Sequence, residues 1–98
     1  MKQLFAVVLA RGAAWQHSQS LEGQKHWPAH AAFMDALKEA GFVVLGGPLE
    51  GTNDVLLIIR AASPEEIRDR LAPDPWHCQD LLRVNRISPW TLRLGSLP

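Results

Sequence analysis

Hydrophobic residues along this chain fall into blocks whose spacing changes from one block to the next. Leu4 to Leu9 (LFAVVL) is apolar at every position, which predicts a strand covered on both faces. A polar stretch from Arg11 to Lys25 follows, interrupted by Trp15, and its length is that of a functional lid. From His30 the period becomes helical, with Phe33, Met34, Leu37 and Gly41 at i+3, i+4, i+7 and i+11. Asp35, Lys38 and Glu39 are assigned to the opposite face. Pro28 suits the first turn of this helix and Gly41 its C-terminal stop.

Phe42 to Leu45 reads as a second strand, closed by Gly46-Gly47-Pro48. Asp54 to Arg60 (DVLLIIR) reads as a third, and Glu50-Gly51-Thr52-Asn53 as the hairpin turn between them. Ser63-Pro64-Glu65-Glu66 is a helix start with a capping box, and Ile67 and Leu71 form that helix's inward face. A short helix through Leu81 or Leu82 is expected after Pro73-Asp74-Pro75-Trp76, then a last strand from Val84 to Leu94 with Pro89 at an edge or bulge. The order β-α-β-β-α-β predicts an α+β, ferredoxin-like sandwich with an antiparallel sheet. Both helices cover one sheet face. Yet Val55, Leu57 and Ile59 alternate with Leu56 and Ile58, so the other face is apolar too, and a homodimer packing sheet on sheet is expected.

Composition adds bounds to this picture. Ninety-eight residues, 47% hydrophobic and 20% charged, predict one domain spanning 1–98. A chain of this size buries about 65% of its unfolded surface, enough for a single core. Ten basic and ten acidic residues cancel, and no basic stripe tracks phosphates, so nucleic acid is not an expected partner. Lys2 before an apolar run superficially resembles a leader, but Arg11 interrupts the run before any cleavage site. No stretch approaches the ~20 apolar residues that span a bilayer. The lone cysteine, Cys78, excludes an internal disulfide. Cytoplasmic residence without membrane attachment is the expectation.

The candidate chemistry starts at His30, an ionisable ring on an apolar helix face. It is either a core histidine bonded to a carbonyl or a proton-transfer group in a cleft. Asp74, held between two prolines, is either the cap of the short helix or a carboxylate that orients an imidazole. The two roles are compatible, because a carboxylate has two acceptor oxygens. Gly46, Gly47 and Pro48 make either a tight strand exit or a loop whose N–H groups meet a ligand. Trp27 and Trp76 each neighbour a motif residue, so they either pack or wall a pocket. Trp90 is expected in the core or a dimer seam, and Arg83 and Asn85 on a solvated strand face or against an anionic substrate. His26 and His30 have i, i+4 spacing, but Pro28 places His26 outside the helix and no HExxH glutamate follows. No metal and no cofactor are expected. Cys78 beside His77 is not expected to act as a nucleophile.

Several segments together resemble one family. His30–Leu37 (HAAFMDAL), Gly41–Gly51 (GFVVLGGPLEG), Leu56–Ala61 (LLIIRA), Ala72–Trp76 (APDPW) and Ile87–Trp90 (ISPW) are similar, in order and spacing, to the YCII-related family. That resemblance implies a ferredoxin-like fold assembled as a dimeric α+β barrel or a higher oligomer. It also implies a cleft holding a histidine and an aspartate, here His30 and Asp74. Its catalytic associations are elimination or dehalogenation of small ring compounds, and related dimeric barrels include isomerases and cofactor-free oxygenases. The expected function is a cofactor-independent lyase or isomerase acting on a small organic molecule. The alternative is a small-molecule binding or accessory dimer module without chemistry.

Overall fold

The computed structural model describes residues 1–98. Seven elements occur in the order β1 (Gln3–Arg11), α1 (Trp27–Glu39), β2 (Val43–Pro48), β3 (Asp54–Ala61), α2 (Pro64–Leu71), α3 (Pro75–Cys78) and β4 (Leu82–Pro89). The strands form one sheet in the order β2-β3-β1-β4, and every neighbouring pair is antiparallel. This is the α+β, ferredoxin-like arrangement.

Local chemistry explains where the elements begin and end. At the end of α1, Gly41 takes φ 77°, its N–H donates to the Lys38 carbonyl, and the Phe42 N–H donates to that of Leu37. These two bonds are a Schellman motif, and the buried Leu37 and Phe42 supply its apolar contact. Ser63 caps α2 by accepting from the Glu66 N–H at 3.2 Å. The Glu66 carboxylate reaches back to the Ala62 N–H, one residue beyond the usual box partner. In the β2–β3 turn Thr52 Oγ1 donates to the Leu49 carbonyl and accepts from the Asp54 N–H.

One face of the sheet carries the core. Phe5, Val7 and Leu9 of β1 pair with Ile59, Leu57 and Val55 of β3, and Ile67 and Leu71 of α2 join the same cluster. On the opposite face Leu4, Ala6, Val8, Ala10 and Leu56 are half-buried. Two bulges bend the sheet. Val44 is the extra residue in β2, and Asn85 is the extra residue in β4.

The short helix ends at Cys78 instead of Leu81 or Leu82, because Asp80 turns the chain at φ 60°, and the last strand runs Leu82–Pro89 instead of Val84–Leu94. Its partner β1 runs out: Pro89 pairs with Phe5, the Trp90 N–H donates to the Leu4 carbonyl, and Gln3 begins β1. Trp90 is therefore 38% exposed and outside the core, and Leu94 is 88% exposed.

Candidate functional site

His30 sits one turn into α1, which begins at Trp27 with His26 as a left-handed N-cap and Pro28 in its first turn. The ring is buried, and its Nδ1 lies 2.9 Å from both carboxylate oxygens of Asp74. Asp74 is the N-cap of α3, accepting the Trp76 N–H at 3.0 Å through Oδ1. Both readings of Asp74 hold at once. A carboxylate only accepts, so Nδ1 carries the proton of this bond, and in the neutral form of the ring the lone pair is then on Nε2. Nε2 makes no hydrogen bond to the protein.

A cleft of about 420 Å³ lies between α1 and the sheet. His30, Trp27, Trp76, Gly46, Gly47 and Pro48 all line it, while Asp74 stands behind the imidazole. At Gly46, a Cβ would collide with the side chain of Leu57, so the missing side chain lets Leu57 take its place in the cleft wall. Trp76 is 1% exposed and is as much core as wall, whereas Trp27 is half-buried.

Two further lining residues depart from the expected helix faces. Asp35 and Lys38 border the cleft instead of pointing away from it. Lys38 lies about 80° around the helix from His30, on its flank, and its long stem reaches the rim. Its ammonium has only a loose 3.8 Å contact with Glu39. Arg83 and Asn85 do not line the cleft. Arg83 instead clasps Asp80, with Nε at 2.6 Å and Nη2 at 2.8 Å from the two oxygens. That hydrogen-bonded guanidinium holds the Asp80 carboxyl below its ordinary range, and Asp80 raises Arg83 in return.

The 12–26 segment contributes three residues to the site and its support, of which the sequence pattern singled out only Trp15. Trp15 is buried, and Leu21 lines the cleft. Gln24 is 4% exposed, and its amide accepts from the Gln16 N–H at 2.9 Å and donates to the Gln16 carbonyl at 2.7 Å. The available signal was a tryptophan inside an otherwise polar loop. No group of three or more His, Cys, Asp or Glu side chains stands close enough to hold a metal ion, and His26 is exposed. No helix is long and apolar enough to cross a membrane.

Fold and site together define a ferredoxin-like α+β protein with a buried His–Asp pair behind an apolar cleft. The chain belongs to the YCII-related family, whose domain model matches residues 7–91. No curated protein matches it in sequence.

Proposed function

We propose that the cleft beside His30 takes a small organic molecule, of the ring type the family resemblance implies, and carries out cofactor-independent proton transfer on it. One observation carries this reading: Nδ1 is held by both oxygens of Asp74 while Nε2, on a ring that lines the cleft, has no protein partner. In that tautomer Nε2 is a base. It takes a proton from a carbon activated by a neighbouring electron-withdrawing group, and the C–H electron pair becomes a C=C bond. Expulsion of a leaving group from the adjacent carbon makes the step an elimination. Return of the proton to another carbon makes it an isomerisation. Asp74 stabilises the imidazolium formed in between. Gly46, Gly47, Pro48 and Trp27 are the proposed substrate contacts, with Trp76 behind them. The proposed working unit is a homodimer formed through the sheet face opposite the helices.

A second reading has its own support. Eleven of the 17 lining residues are hydrophobic, which suffices for ligand binding without chemistry. Incubating the protein with hydroxylated, chlorinated and lactone ring compounds in D2O separates the two. Halide release or deuterium incorporation, read by ion chromatography and proton NMR, is expected for wild type and should fall by about 10²–10⁴ in His30→Gln. Binding without exchange or release in wild type would replace the enzyme with the binding module.

A further inference from the structure

The Trp76 indole and the His30 imidazole lie face to face, with centroids 3.8 Å apart and planes 7° from parallel. Trp76 is itself fixed. Its indole N–H donates to the Lys25 carbonyl at 2.7 Å, and Trp15 meets it edge-on at 5.3 Å and 87°. Trp15 in turn has the Arg11 guanidinium 4.5 Å from its ring centroid, and the Gln24 amide ties the intervening loop to Gln16. With 1% of its surface exposed, Trp76 has almost none left to offer a substrate.

We propose that Trp76 is a positioning residue that fixes the plane of the His30 imidazole, with the 12–26 loop as its brace. The bond from Nδ1 to Asp74 holds one edge atom of the ring but leaves the ring free to tilt about that contact. A face contact removes the tilt, and the two together set the direction of Nε2. The device closes on itself. The Trp76 backbone N–H binds Asp74, Asp74 binds His30, and His30 stacks on the Trp76 side chain. One tripeptide, Asp74-Pro75-Trp76, thus grips the imidazole by edge and by face. The use made of His30 rests on the function proposed above, whereas the grip itself does not.

Side-chain replacement at Trp76 leaves its backbone N–H in place, so variants report on the ring alone. In histidine-labelled wild type, proton–nitrogen NMR should show His30 as a single Nδ1–H tautomer. Its carbon-bound ring protons, identified by their loss in His30→Gln, should lie upfield because of the indole ring current. Trp76→Leu, in which Asp74 still sets the tautomer, should lose the upfield shift and lower the order parameters of the His30 ring C–H bonds, while Trp76→Phe, which restores a face, should recover the ring's rigidity. An unshifted His30 in wild type overturns the proposal whether or not Trp76→Leu folds. So does a folded Trp76→Leu whose His30 ring is as rigid as in wild type. With any compound turned over in the exchange assay, Trp76→Leu should lower kcat at little changed KM. A rise in KM alone would make Trp76 a substrate wall instead. Absence of turnover sinks the proposed enzyme and leaves the NMR result standing.

Discussion

Asp74 and Asp80 show how one residue type is put to two uses within a few positions. Asp74 is 5% exposed, and a carboxylate that dry is tolerated only because its oxygens meet both an imidazole N–H and a backbone N–H. Asp80 lies at the surface, with φ 60° and a bidentate arginine. Arg83 holds the folded Asp80 carboxyl below its ordinary 3.8, so whatever the pair adds to stability is present above that value. The contribution is lost as the pH falls through the lower folded value, when the carboxylate takes up its proton. Asp80→Asn should therefore lower Tm at neutral pH, and the gap to wild type should close on acidification below pH 3.8. Thermal melts across that range check it. The effect is small, since both partners are exposed and water screens the pair.

At the scale of elements, the 12–26 loop is built as a brace, so its stability should hinge on its internal tie. Gln24→Ala removes the partners of the Gln16 N–H and carbonyl in a part-buried setting, at a cost of about 1–3 kcal/mol. Amide exchange should then speed up in residues 12–26 and stay near wild type in β1 and β3. Loop protection in Gln24→Ala equal to wild type would mean the loop is held from elsewhere, with Trp15 the first suspect. The helices and strands themselves were legible in the chain, because each had a period or a stop signal: Gly41 for α1, Ser63-Pro64 for α2, the Thr52 turn between β2 and β3. The His30–Asp74 pair was legible through the family resemblance, which implies a histidine and an aspartate in one cleft, and its physical sense is that two buried ionisable groups stand more cheaply together than apart. The end of β4 was not, because Leu92 and Leu94 continue a strand pattern while the partner strand that would hold them has ended. The loop brace was also hidden. Glutamine contacts to a backbone eight or fewer residues away leave no periodic trace, and Lys38 reaches the cleft by side-chain length, which periodicity does not measure.

For the whole molecule, the sheet face opposite the helices is the surface on which a second copy is expected. Ala6 and Val8 of β1 pair with Ile58 and Leu56 of β3 there, and Leu45 of β2, opposite Ile58, is 43% exposed. Arg60, opposite Leu4, and Arg86, opposite Val8, stand at the margins, so an apolar centre is framed by charge. An apolar centre with a polar rim is the anatomy of a protein interface. Fully burying an exposed Val or Leu is worth about 1.5–3 kcal/mol, and half-buried side chains such as Val8 and Leu56 gain only part of that each, so association draws on several of them together. Wild type is therefore expected to sediment at twice the chain mass in dilute neutral buffer, with more than about 1,200 Å² buried in total. Val8→Lys places a charge at the centre of that patch, beside Arg86, and should give a particle of one chain mass with unchanged far-ultraviolet dichroism. A wild-type protein already at one chain mass would leave the patch to some other partner. If Val8→Lys were still a dimer, the contact would have to lie elsewhere, and the exposed edge of β2 would be the next place to test.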